Sequence, residues 1–180
     1  GTTFAVLYQA ALAIAEGVCE TVVISMADSL RTGLSREQAM VMQSSSGHPQ
    51  YETPYGSTVP GYYALIAHAY MHEYGVTPAD FAQVAVTCRS HAALHPRAQM
   101  RDPITVEDVL NSRMIADPLR LLDCSLVSDG GAAIVLTSAE RAKDLPHSPI
   151  FLLGAGEGHG HEHISQAQSL TTSAARESGE

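Results

Sequence analysis

Basic residues are scarce in this chain: 10 Lys and Arg stand against 19 Asp and Glu, a formal net charge of −9 over 180 residues. The few cations are scattered, so the electrostatic footprint of a nucleic-acid binder is missing and no such partner is expected. An anionic ligand stays compatible with the acidity where a few Arg are placed locally. Long apolar runs are missing too. None reaches the roughly 18 residues needed to span a bilayer, and no charged-then-apolar leader opens the chain, so no membrane association is expected. Cysteine is sparse: Cys19, Cys88 and Cys124 are odd in number, far apart, in apolar contexts and without a Cys-x-x-Cys spacing. That pattern points to free, buried thiols in a reducing, cytoplasmic compartment. Met is absent from position 1, where Gly1 reads as a processed, engineered or truncated start.

What is present is enough for a real core. With 45% hydrophobic residues and 180 positions, an ordinary domain of this size buries about 70% of its unfolded surface. Residues 4–16 are Ala-rich and apolar nearly all round, and Gly17 follows as a C-terminal stop, which predicts a buried helix. Thr21–Met26 is a β-branched run and predicts a strand covered on both faces. Residues 44–49 and 53–56 are loop chemistry. Helical spacing returns from Pro60 to Tyr74 and ends at Gly75. Thr77 and Pro78 start another helix that runs to about Leu94, before Pro96. Thr105 with Asp108 forms an acidic variant of the capping box. Ala132–Thr137 reads as a strand, Ser138–Leu145 as a short helix, Pro149–Gly156 as a further strand, and 171–180 as the first turns of a helix. The order is that of an α/β chain with a mixed sheet and a helical excursion.

Three segments carry chemistry-bearing motifs. The first is Tyr55-Gly56-Ser57-Thr58-Val59-Pro60-Gly61-Tyr62-Tyr63, leading into a helix. The second is His91-Ala92-Ala93-Leu94-His95-Pro96-Arg97-Ala98. The third is Leu121-Leu122-Asp123-Cys124 followed by Asp129-Gly130-Gly131-Ala132-Ala133. In this order and spacing the chain resembles the thiolase superfamily, and within it the sterol-carrier-type thiolases and their bacterial thiolase-like, acetyl-CoA acetyltransferase-like relatives. The resemblance implies a thiolase-like α/β fold, incomplete here. Residues 1–145 would be the second half of the N-terminal domain, with a helical loop region at about 30–116. Residues 146–180 would begin the C-terminal domain.

The same resemblance locates what is missing. In the family a nucleophilic Cys opens the Ala-rich helix, where the helix dipole and backbone N–H groups lower its pKa. Counting back from Gly17, that position falls just before Gly1. Gly1-Thr2-Thr3-Phe4 also resembles a thiolase-like variant without that Cys. The second Cys, the catalytic Gly-His-Pro and the Asn/His segment would fall beyond Glu180. No catalytic residue is therefore assigned within the chain, which is expected to be inactive alone. Gly47-His48-Pro49 has the wrong context for the catalytic tripeptide, so His48 reads as a loop residue. Cys19, Cys88 and Cys124 sit at wrong helix ends or in apolar turns and read as small buried hydrophobes. His159, His161 and His163 with Glu162 have metal-like spacing, but the flanking Gly158 and Gly160 make a loose segment and no metal is assigned. Tyr62, Tyr63, Tyr70 and Tyr74 read as helix packing. The Asp129–Ala133 segment reads as a fold signature, with Asp129 bonding nearby backbone N–H groups.

Tyr55 and Gly56 are the candidate substrate-binding residues. In the family, the residue before this Gly folds over the reactive centre. A Tyr there supplies an apolar wall and a hydroxyl. The plainer alternative is a turn tyrosine on the loop surface. The resemblance implies an acyl-CoA acyltransferase that makes or breaks a C–C bond in a 3-ketoacyl-CoA. A second implied reading is a retro-aldolase acting on steroid side-chain CoA thioesters with a small OB-fold partner. A third is a non-catalytic lipid-carrier or scaffold subunit. The CoA thioester is the substrate, no separate cofactor is implied, and the complete protein is expected to be a homodimer.

Overall fold

A computed structural model describes residues 2–56 and 58–179, which fall into two compact units. Gly1, at the head of the Gly-Thr-Thr motif, Ser57 of the Tyr55 loop and Glu180 lie outside the described residues. Unit 1 takes residues up to Gly33, Ser128–Gly160 and the segment from Ser173. Unit 2 takes Leu34–Val127 and His161–Thr172.

Unit 1 opens with helix α1 (Thr2–Ala15). It stops because Gly17 adopts φ 70, a left-handed conformation that only glycine enters without steric cost. The N–H of Val18 then reaches Ala13 O at 2.9 Å and that of Gly17 reaches Ile14 O at 3.1 Å, the paired bonds of a Schellman stop. Strand β1 (Thr21–Ser29) follows, and pairs antiparallel along its whole length with β4 (Asp129–Thr137), from Thr21 opposite Thr137 to Ser29 opposite Asp129. Gly131 lies opposite Ala27, and a Cβ there would sit 3.1 Å from the Ala27 Cβ. The Thr3 hydroxyl reaches Met26 Sδ at 3.1 Å, tying the start of α1 to the ladder. A short helix α6 (Ala139–Ala142) is capped by Ser138, and Arg141 pairs with Glu20 at 2.9 Å. Helix α7 (Ala175–Gly179) ends the described chain. Its first turn is approached so closely by Gly156 and Gly158 that a Cβ on either would collide with the carbonyls of Ser178 and Ala174.

Unit 2 is mainly helical. Helix α2 (Arg36–Ser44) begins with a capping box: Ser35 Oγ accepts from Gln38 N, and the Gln38 side chain accepts from Ser35 N. Helix α3 (Val59–Tyr74) ends at Gly75, φ 68, whose N–H bonds Met71 O. Helix α4 (Pro78–Leu94) has Pro78 at its first position, with the Thr77 N–H and hydroxyl both donating to the Asp80 carboxylate. Helix α5 (Val106–Asn111) has a reciprocal box between Thr105 and Asp108. The Thr105 hydroxyl, donating to the Asp108 carboxylate at 2.7 Å, and then the Thr105 N–H hold that carboxyl below the ordinary carboxylate range. The α4–α5 pair forms the driest part of the unit, with Ala82 and Val109 fully buried. Strands β2 (Met114–Ala116) and β3 (Leu119–Arg120) form a small antiparallel hairpin beside α3.

Four sequence expectations need correction. Strand β1 was expected to be covered on both faces, yet Val23 is 64% and Met26 44% exposed and only Ile24 of the strand is buried, because the described residues cover little of its surface beyond the pairing with β4. Helix α1 was expected to be buried on every side. Only Ala10 is, and Phe4 is 72% exposed, because the described residues cover one stripe of the helix and leave its other apolar positions open. The run Pro149–Gly156 forms no strand, and Ile150 is 99% exposed. A strand exists only where a neighbour satisfies its N–H and C=O groups, and no such neighbour lies beside it among the described residues. Residues 171–174 are not helical: α7 starts only at Ala175.

Candidate functional site

The loop between α2 and α3 is built on the His48 carbonyl, which accepts from both Glu52 N at 2.9 Å and Thr53 N at 3.0 Å. The Thr53 hydroxyl donates to Gly47 O at 3.1 Å, closing the base of the loop. Pro54 then fixes a single 3-10 turn, Thr53–Tyr55, that ends in Gly56 at φ 72. Gly56 is therefore required by backbone geometry, since a β-carbon is strained at that angle. Tyr55 donates its N–H to Glu52 O at 3.1 Å and holds its ring outward, 83% exposed.

The same loop carries the one charged side chain buried among the described residues, Glu52, at 7% exposure. Its Oε2 accepts from His48 N at 2.8 Å and its Oε1 from Ser165 N at 2.7 Å. Ser165 belongs to a second 3-10 turn, Ile164–Gln166, in which Gln166 Oε1 accepts from His163 N. The His163 Nδ1 stands 4.0 Å from Glu52, and the His163 ring meets His48 edge-on at 5.1 Å. His48 Nδ1 accepts from Gln50 N at 3.2 Å, so in the neutral ring the proton lies on Nε2. Tyr62 Oη is buried beside this group and has no hydrogen-bond partner among the described residues. Gly47 faces both: a Cβ there would collide with Tyr62 Oη and Glu52.

Burial by itself pushes the Glu52 carboxyl up. The N–H groups of Ser165 and His48 and the charge of His163 outweigh it, and the net pKa is lowered. The Tyr62 phenol is pushed up, first by burial and then by the Glu52 charge. A carboxylate held below its ordinary range is a weak base, and a phenol held above its range stays protonated. Glu52 and Tyr62 therefore supply a fixed anion and a protonated phenol, and neither of the two is a general base for neutral pH.

The other sequence candidates are dispersed. Asp129 was expected to bond its own neighbours. Its Oδ1 instead accepts from Arg31 N at 2.7 Å and Thr32 N at 3.2 Å, and its pKa is depressed, foremost by the Thr32 side chain and then by these two N–H groups. His95 ends α4, with its Nδ1 accepting from Arg97 N. His159 pairs with Glu157 in unit 1, whereas His163 belongs to the Glu52 group of unit 2. The three cysteines were expected to be buried; Cys88 is exposed and Cys19 and Cys124 are half-buried. Position 88 falls on a face of α4 that no described residue covers. Burial and then the Asp123 charge raise the Cys124 thiol, which disfavours its reactive thiolate. The tyrosines divide: Tyr70 and Tyr74 pack ring on ring at 4.6 Å, Tyr63 is exposed, and Tyr62 buries its hydroxyl beside Glu52. Sequence reading missed Glu52 and Ser165, because an isolated Glu in a polar loop defaults to solvent.

No protein-family model matches the sequence. Individual proteins do. The chain is 43% identical over 169 residues to a steroid side-chain-cleaving aldolase of Thermomonospora curvata, covering 90% of this chain and 43% of that protein. It is 34% identical over 160 residues to an acetyl-CoA acetyltransferase of Methanothermobacter thermautotrophicus, covering 89% of this chain and 41% of the relative. Among solved structures it superposes on an Ltp2-ChsH2(DUF35) aldolase with a TM-score of 0.78 at 41% identity, over 92% of this chain and 44% of that one. The chain thus spans less than half the length of the relatives it matches. Over the residues it spans, the chain belongs to the thiolase-like family and has that family's α/β fold.

Proposed function

We propose that this chain supplies part of a thiolase-like retro-aldolase that cleaves the side chain of a steroid carried as a CoA thioester. The observation that carries this reading is the 43% identity over 90% of the chain with a steroid side-chain-cleaving aldolase. In retro-aldol cleavage a β-hydroxyl loses its proton, the C–C bond breaks, and the resulting thioester enolate is reprotonated. No oxidant and no thiol nucleophile is required. Tyr55 and Gly56 are assigned to substrate binding, with Tyr55 presenting wall and hydroxyl from its exposed turn. The reading includes the CoA thioester as substrate without a further cofactor, a cytoplasmic setting, a homodimer, and a small OB-fold partner. The partner is supported by the solved relative, which is named as a complex of two components. Among the described residues no helix is long and apolar enough to cross a membrane.

The acetyltransferase relative favours a second reading, thiolysis of a 3-ketoacyl-CoA. The two differ in one requirement: thiolysis consumes free CoA, retro-aldol cleavage does not. The full-length protein, with its partner, should cleave a β-hydroxyacyl-CoA without added CoA. Turnover of a 3-ketoacyl-CoA strictly dependent on free CoA would replace the first reading by the second. The 180-residue chain alone should show neither activity, because among the described residues no thiolate, proton relay and oxyanion hole converge on one point. Tyr55→Phe in the active protein should lower kcat by roughly 10²-fold if the hydroxyl moves a proton. An unchanged kcat with a raised KM would leave Tyr55 as a wall.

A further inference from the structure

We propose that Glu52 is a positioning residue, a latch that sets the Tyr55–Gly56 turn by bonding the base of its own loop and the distant Ser165 turn at once. The inference rests on the reading that Tyr55 meets substrate. The Tyr55 ring is exposed, so its placement is governed by backbone. That backbone starts at Glu52, whose carbonyl takes the Tyr55 N–H. The Glu52 side chain is held at both oxygens: Oε2 by His48 N, Oε1 by Ser165 N. One carboxylate therefore joins two segments 113 positions apart.

The surroundings are shaped for that carboxylate. Gly47 leaves room that any Cβ would take, and the buried Tyr62 hydroxyl and the edge of His163 flank it. A buried carboxylate is costly unless its oxygens are satisfied, and here two backbone donors do so. The donors are backbone groups, so their positions are set by the two turns, and the latch transmits the position of one turn to the other. No apolar residue of similar volume could do this, since it would leave both N–H groups unpaired.

Amide hydrogen exchange on the chain, read peptide by peptide, tests the latch without requiring activity. Glu52→Ala should raise exchange in 48–56 and in 163–167 together, by about tenfold or more, with α4 and α5 of the same unit unchanged. Glu52→Gln keeps one oxygen but presents an NH2 to the other N–H, so one end should stay protected while the other opens. A uniform rise across unit 2 in both variants, or no rise in Glu52→Gln, would overturn the proposal and leave Glu52 a packing residue. In the full-length protein the Gln variant should lower kcat more than it raises KM, and Glu52→Asp, a methylene too short to span both donors, should not restore it. If the exchange pattern appears while Tyr55→Phe leaves turnover untouched, the latch stands and the substrate role of Tyr55 fails. If Tyr55→Phe impairs turnover and the Glu52 variants exchange as wild type, the latch alone fails.

Discussion

In unit 2, three helices are started by side chains within three residues of their own first turn: Ser35 with Gln38, Thr77 with Asp80, Thr105 with Asp108. In unit 1, the central ladder joins β1 to β4, whose paired residues lie about a hundred positions apart. The turn after β1 is closed by Asp129 from the far strand. The interiors differ as well. Ile24 is the only buried residue of the β1–β4 ladder, whereas unit 2 buries Ala64, Ala67, Ala82, Val109 and the Glu52 carboxylate. One unit is assembled from local signals and then packed. The other depends on a pairing whose loop-closure entropy must be met before any ladder bond forms.

The largest effect that would sharpen this contrast is expected from Val109→Asp. An unpaired charge at a fully buried position should cost about 3 kcal/mol or more. Chemical denaturation with exchange readout should show α4 and α5 losing protection first; retention of both would break the assignment of the core to that pair. Gly47→Ala comes next, at about 1–3 kcal/mol for forcing a methyl against Tyr62 Oη and Glu52, measured by the denaturant midpoint. Thr105→Ala should cost about 1 kcal/mol through the lost cap, with Thr105→Ser close to neutral.

A pH titration probes the unit 1 ladder through Asp129. Its folded carboxyl titrates below the unfolded value, so its contribution is present above the ordinary carboxylate pKa and is lost as pH falls through the depressed one. Asp129→Asn should flatten the acid limb of ladder protection, from about pH 4 downward; an unaltered limb would mean that its bonds to Arg31 and Thr32 carry no stability. The smallest effect concerns the thiols. Cys88 should react with a thiol reagent before Cys124, whose pKa is raised; first labelling at Cys124 would contradict the burial described.

Much of the fold was legible in the sequence where the signal was local. The stops at Gly17 and Gly75, the Thr77-Pro78 start and the Thr105–Asp108 box all stand as read, since each concerns backbone groups within one turn of the residue that satisfies them. Helix α2 carried the same kind of signal, Ser35 with Gln38, in a stretch for which the sequence reading named no separate element. The failures share another cause. Ile150–Leu153 has strand composition but no partner among the described residues, and α1 has a buried helix's composition without a surrounding layer. At the site, Tyr55-Gly56 was legible as a motif, but Glu52 was not, because the donors that make its burial tolerable include Ser165, far along the chain.

By itself the sequence determined the thiolase-like family, the α/β order of elements and the turn carrying Tyr55 and Gly56, because motif spacing and capping chemistry are properties of contiguous residues. Only the tertiary structure decided that Glu52 is buried, that His163 and Ser165 converge on it, and that Asp129 closes a turn on another strand. The physical reason is the same in each case. A carboxylate's partner is whichever N–H the folded backbone brings to within hydrogen-bond distance, and across a hundred residues nothing in the local sequence marks which one that is.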